Sequence, residues 1–268
     1  MALPLRGIRV LVVAVNVPAL AAGFRLGELG ASVTKVEPPD GDPTGAASPE
    51  LYARLTAGHE VVRLDLKTDR AALDPYLAET DVLLTSSRPS ALARLGLAWS
   101  DLEERYPRLV QVAIVGHAEP EQERAGHDLT YLAPHGLLSP PALPTTLAAD
   151  LGGAERAATT AVALLRGGPR YAEVALADAA AFFALPWEHG LTRPGGVLGG
   201  SFPFYGFYEA KGGWIAVAAL EPRFRERLLE GLEVEEPTHE AFAAAFAERS
   251  PAEWERWARE HDVPIVAV

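Results

Sequence analysis

The chain has 268 residues, 49% of them hydrophobic and 22% charged, enough for one large domain or for a large and a small one. A formal net charge of -12 argues against a nucleic-acid partner, because phosphate contacts need a basic face. With no cysteine, disulfides and thiolate chemistry are excluded, and the seven histidines show neither HxH nor HxxxH spacing, so no metal site is indicated.

In chain order, Ile8 to Val15 reads as a buried strand, nearly continuous in apolar residues as a central parallel strand should be. Pro18 suits the first turn of a helix running to Leu29, with Gly30 as its stop, and Ser32 to Val36 is the next strand. This is a right-handed βαβ unit. Further strands are predicted over Glu60 to Asp65, Asp81 to Thr85, Leu109 to Val115 and Tyr171 to Leu176. Between them, Thr68 is expected to cap a helix kinked at Pro75, and Ser100 to Glu103 to form a capping box. Helices are expected through 129–138 and over Glu155 to Arg166. Strands alternating with helices predict an α/β fold with a Rossmann-like, mainly parallel sheet, whose ligands sit beyond the carboxyl ends of the strands.

After Pro186 the texture changes to Gly, Pro and aromatics up to Phe207, as in an interdomain connection. The predicted organisation is a large α/β domain over 1–185, a linker over 186–207 and a small α+β domain over 208–268. The small domain holds a strand at Trp214 to Ala219, helices at Pro222 to Gly231, at Glu240 to Glu248 and after the capping box Ser250 to Glu253, and a last strand at Val263 to Val268. The apolar run Val10 to Ala22 is interrupted by Asn16 and Pro18 and lacks a cleavage region, and no stretch reaches the ~18–20 apolar residues of a membrane span, so the expected location is cytoplasmic.

The chemistry-bearing residues stand in Gly126-His127-Asp128-Leu129-Thr130-Tyr131, Asp150-Leu151-Gly152-Gly153 and Glu221-Pro222. A histidine and a carboxylate are groups that can take and return a proton near neutral pH. Each residue also has a purely structural reading. His127 and Asp128 can start a helix, Asp150 can cap a helix beginning near 152, and Glu221 can cap the helix after it. A helix start at Asp150 would also supply N–H groups and a positive dipole end toward an enolate.

The order and wording of these segments resemble the class III CoA-transferase family, and within it the alpha-methylacyl-CoA racemase branch. The resemblance runs from Leu5-Arg6-Gly7-Ile8-Arg9-Val10-Leu11 through Leu29 to Pro39, Leu64-Asp65-Leu66-Lys67, Arg88-Pro89 and Tyr106 to Val110 to Glu221-Pro222-Arg223-Phe224. It implies a 1,1-proton transfer alpha to a CoA thioester, with His127 and Asp150 as the two acid/base groups and Glu221 in a supporting role. It implies CoA contacts from Leu64, Asp65, Leu66, Lys67, Arg88, Gly126, Asp128 and Tyr131, with CoA thioester as substrate and no prosthetic group. A homodimer is expected. The family's return of the chain to the large domain has no counterpart in these 268 residues, which leaves open whether two chains interlock as closed rings.

Several positions depart from the family's pattern. The usual Pro-Gly-Pro of the first turn is Asn16-Val17-Pro18, so the close backbone approach that glycine permits is expected to be lost. The basic run before Leu64 is replaced by Thr56 to Glu60, where His59 is the one candidate cation. Two alternatives stand beside the racemase: a CoA-transferase using Asp150 as acyl-accepting nucleophile, and a shortened, non-catalytic relative with weak or no CoA binding.

Overall fold

Val10 to Val13 are buried consecutively in β1 (Arg9–Val13), as a strand covered on both faces requires. The computed structural model describes residues 3–268, which divide into one unit ending at Ala184 and a second spanning Leu185–Val268. In the first unit β1 is flanked by β2 (Ser32–Glu37), β3 (Glu60–Arg63), β4 (Val82–Thr85), β5 (Val110–Val115) and β6 (Tyr171–Ala175). All pair in parallel, in the order β3-β2-β1-β4-β5-β6. The strand order therefore reverses between β1 and β4, and a crevice opens at such a switch point.

Helix α1 (Val17–Glu28) starts with Pro18 in its first turn and ends at Gly30, whose φ of 102° turns the chain back into β2. Short helices α2 (Pro43–Ala47), α3 (Pro49–Leu55), α4 (Asp74–Glu79), α5 (Pro89–Arg94), α6 (Trp99–Leu102) and α7 (Asp128–Leu132) follow, then the long α8 (Ala148–Leu165) and α9 (Leu176–Glu188). Val10 and Val12 pack with Leu20, Leu26, Ala157 and Ala161 on one face of the sheet. Leu11 and Val13 pack with Leu73, Leu77, Leu92 and Leu102 on the other. Each Val or Leu among them contributes roughly 1.5–3 kcal/mol by burial, and each alanine methyl less.

The second unit is built on an antiparallel sheet of β7 (Tyr205–Ala210), β8 (Gly213–Ala218) and β9 (Ile265–Ala267), with α10 (Pro222–Leu232), α11 (His239–Phe246) and α12 (Pro251–His261). Phe204, Tyr208, Phe242, Phe246 and Trp254 form its core, and the Trp254 indole N–H donates to the Phe246 carbonyl at 2.8 Å. The fold is the expected one, a parallel α/β sheet plus a small α+β unit.

Local expectations differ in instructive places. Asp69, not Thr68, caps the segment before α4, accepting the Ala72 N–H at 3.2 Å, and Pro75 lies in the first turn of α4 rather than at a kink. Ser100 lies inside α6 behind Ala98 and makes no capping bond, whereas the Ser250–Glu253 capping box forms. Instead of continuing to residue 138, α7 stops at Leu132 and passes through a 3-10 turn to Gly136 at φ 68°. Helix α8 begins at Ala148, before the glycine pair. Gly152 and Gly153 are packing positions rather than start signals, because an added Cβ would strike Phe183 at the first and Leu176 at the second.

Candidate active site

The turns leaving β1, β4, β5 and β6 meet beyond the carboxyl edge of the sheet. They enclose a cleft of about 280 Å³ lined by Asn16, Arg88, Gly126, His127, Tyr131 and Asp150, among others. This is the crevice that the strand reversal between β1 and β4 creates.

His127 is the N-cap residue of α7. The Thr130 hydroxyl accepts its backbone N–H at 3.0 Å and donates to its carbonyl at 2.8 Å, which fixes the backbone while the exposed residue faces the cleft. Tyr131, one turn on, is buried. It fits because Gly116 and Gly126 lack side chains, as a Cβ at either would collide with its ring. Burial, and then the nearby Asp150 charge, raise the Tyr131 pKa and keep the phenol protonated.

Asp150 sits in the first turn of α8, three residues beyond the N-cap Leu147, and its backbone N–H donates to Asp128 Oδ1 at 3.0 Å. A carboxylate there gains from the helix dipole. Burial outweighs that gain, and with the Asp128 charge it pushes the Asp150 carboxyl up from 3.8 to about 7. Asp128, expected beside the ligand, is instead buried and outside the cleft lining, and its Oδ2 has no hydrogen-bond partner. It acts on the site through Asp150.

Leu64, Asp65, Leu66 and Lys67 line a neighbouring depression of about 190 Å³ with Val36 to Pro38 and Leu95. The two hollows share Val15 and Ser87, so they are continuous along the sheet edge. Asp65 Oδ1 accepts the Lys67 N–H at 3.1 Å and turns the chain there, leaving Lys67 exposed. Arg88, the N-cap residue of α5, is also exposed and forms no ion pair within the described residues. Glu221 belongs to the second unit, exposed at the N-cap of α10. No group of three or more His, Asp or Glu among the described residues is placed to hold a metal ion, and no helix there is long and apolar enough to cross a membrane.

One expectation is corrected. His59 does not replace the missing cations, because both ring nitrogens are buried without partners, and burial, then Lys35, push its pKa down. The glycine of the family's turn falls at Val17, which has no positive φ, and it is the residue before it, Asn16, that adopts φ 73°. Beneath this turn lies a cluster of buried Lys35, Glu37 and Asp42 with half-buried Tyr52, which the sequence pattern barely signals. The one signal is a lysine and a glutamate two apart, hence on the same face of β2.

A Rossmann-like sheet with this cleft at its switch point defines the class. The chain matches CoA-transferase family III over residues 5–268 and belongs to that family. It is 30% identical to the alpha-methylacyl-CoA racemase of Mus musculus, over 93% of this chain and 74% of the relative. It is 34% identical to the cinnamoyl-CoA:phenyllactate CoA-transferase of Clostridium sporogenes, over 50% of this chain and 36% of that one. The crystal structure of a hypothetical protein from Mycobacterium tuberculosis superposes with a TM-score of 0.84 at 23% identity, covering 99% of this chain and 85% of that one, which supports the fold alone. Racemases and CoA-transferases thus both occur among the relatives.

Proposed function

We propose that the chain is an acyl-CoA racemase that moves a proton at the carbon alpha to a CoA thioester, with His127 and Asp150 as its two acid/base groups. The observation that carries this reading is the shared cleft: both residues line it, and the Asp150 carboxyl is held at about 7. A group near the working pH is both a competent base and a competent acid, which racemisation demands as the two groups exchange roles between directions. In this reading one group removes the alpha proton, the electron pair passes into the thioester as an enolate, and the other group protonates the opposite face. The depression at Leu64 to Lys67, with Arg88 beside it, takes the nucleotide end of CoA, Lys67 and Arg88 supplying positive charge.

Solvent deuterium exchange at the alpha carbon of a 2-methyl-branched acyl-CoA tests this directly. Wild-type protein should exchange both epimers. His127→Ala should lose exchange from one epimer, and Asp150→Asn from the other, each by roughly 10²–10⁴-fold. Equal loss from both epimers in both variants would defeat the assignment of one base to each face. A CoA-transferase is the second reading, favoured by the similarity to the Clostridium sporogenes enzyme and by the Asp150 carboxyl in the cleft. Transfer of CoA to a free acid, with an Asp150 acyl adduct trapped by hydroxylamine, would establish it. Absence of both activities and of CoA binding would leave the non-catalytic relative.

A further inference from the structure

Three non-glycine residues among those described hold a positive φ: Asn16, Glu233 and Asp262. Glu233 (ψ 38°) and Asp262 (ψ 54°) are left-handed C-caps of α10 and α12, a common way to leave a helix. Asn16 differs. With φ 73° and ψ 169° it occupies a region that almost only glycine enters, and such strain persists only where the surroundings enforce it.

The enforcing contacts are buried. The Asn16 N–H donates to both Asp42 oxygens at 3.2 Å. Asp42, its side chain fully buried, also accepts the Thr44 N–H at 2.8 Å and pairs with Lys35 Nζ at 2.9 Å. Lys35 Nζ in turn donates to Glu37 at 2.9 Å and to the Ala14 carbonyl at 3.3 Å, so it holds the strand end just before Asn16 as well. Burial works to raise the Asp42 pKa, but the Lys35 and Thr44 bonds hold it below the ordinary carboxylate value and keep it charged. The Asn16 side chain makes none of these bonds. It is exposed and lines the same cleft as His127 and Asp150.

We propose that Asn16 is a ligand-contacting residue, its carboxamide donating to the thioester oxygen of a bound acyl-CoA, and that Asp42 and Lys35 are positioning residues that hold its strained backbone. The proposal rests on the acyl-CoA reading above. An amide N–H aimed at that oxygen strengthens as negative charge develops there in the enolate. A strained residue that has its N–H anchored and its side chain free delivers such a donor already oriented.

Isobutyryl-CoA, which regenerates itself after alpha-proton exchange, is the binding probe, and free CoA is the control. Asn16→Gly should weaken isobutyryl-CoA binding about tenfold, the loss of one hydrogen bond, and leave CoA binding unchanged. It should also raise Tm by about 3 °C, because glycine adopts this backbone without strain. Asp42→Asn should weaken isobutyryl-CoA binding by a similar factor, and adding it to Asn16→Gly should weaken binding no further, since both act through the Asn16 carboxamide. Asn16→Asp, which keeps the shape and removes the donor, serves if Asp42→Asn does not fold. Unchanged isobutyryl-CoA affinity in Asn16→Gly, or additive losses in the double variant, would overturn the proposal while leaving the racemase reading intact. Wild-type protein that binds neither CoA nor isobutyryl-CoA would defeat that reading and the ligand contact with it. An unchanged or lowered Tm in Asn16→Gly would then also overturn the clamp.

Discussion

The two units differ most in what they bury. Every buried polar or charged residue among those described lies in the first unit, Lys35, Glu37, Asp42, Asp81, Gln111 and Asp128 among them, whereas the second unit packs Phe204, Tyr208, Phe242, Phe246 and Trp254 with no buried charge. A buried charge is costly unless it is paired and hydrogen-bonded, so an interior built for stability alone would resemble the second unit. Much of the polar interior of the first unit stands at the carboxyl ends of strands, under or beside the cleft. There Lys35 and Asp42 hold the Asn16 turn, and Asp128 holds the Asp150 backbone. Burial chemistry separates a unit whose polar interior surrounds a cleft from one whose described core is free of buried charge.

The largest expected effect comes from breaking the charged cluster. Lys35→Met leaves Glu37 and Asp42 buried without their cation and should destabilise the first unit by about 3–5 kcal/mol. Urea unfolding, with hydrogen exchange read at β1 and β2, measures it. A loss under about 1 kcal/mol would mean that the cluster is already solvated and the contrast between the units is only apparent.

The next effect depends on pH. Folded Asp150 titrates near 7 against 3.8 for the unperturbed group. Between those values the unfolded chain is ionised at this residue while the folded chain stays protonated. Stability that is fully present below about pH 4 is therefore lost as pH rises through 7. Asp150→Asn removes that loss, so the variant should equal wild type at pH 4 and exceed it at pH 8 by roughly 2 kcal/mol, discounted from the full linkage value because solvent reaches the residue. Thermal denaturation at the two pH values decides it, and equal differences at both would show that Asp150 is not held protonated by its surroundings.

The sequence makes some of this arrangement legible and hides the rest for identifiable reasons. The strands β1, β4 and β5 are readable because both their faces are covered, so their runs are nearly all apolar, with Gln111 the one polar residue inside β5. Strand β7 is hidden in the Gly/Pro-rich stretch after Pro186. Its alternation of exposed Phe207 and Glu209 with buried Tyr208 and Ala210 is real, but Gly206 and the flanking glycines mask it. The start of α8 is misplaced because its two glycines read as breakers, when their true cause is the approach of Phe183 and Leu176 from another helix. His127 and Asp150 are legible as a motif. The conformation of Asn16 is not, because it depends on Asp42, 26 residues away, and on a lysine that a strand pattern treats as surface.

In the second unit the contrast predicts effects that do not depend on pH. Phe246→Leu trims a ring that contacts Tyr208, Phe242 and Trp254, and should cost about 1–1.5 kcal/mol equally at pH 5 and pH 8. Hydrogen exchange at β7 and β8 reads it within that unit. A marked pH dependence would show that the polar groups at its edge, the Tyr208 hydroxyl and the His239 ring 3.2 Å from it, are coupled to the packing.

The smallest effect sharpens the comparison from the other side, by asking what polar groups contribute where they remain at the surface. Thr238 is the N-cap of α11, and its hydroxyl accepts the Ala241 N–H at 3.1 Å in an exposed setting. Thr238→Ala leaves that N–H to water and should cost about 1 kcal/mol. No charge is made or lost, so the cost should not change between 0.05 and 0.5 M salt, where a surface ion pair would weaken. Helix α11 carries Phe242 and Phe246 into the core, so the loss should appear as faster exchange of its first-turn amides before any change in the β7–β8 amides. If the sheet amides respond equally, the cap is coupled to the whole core. Surface and interior polar groups would then differ in degree of burial alone, not in what they do.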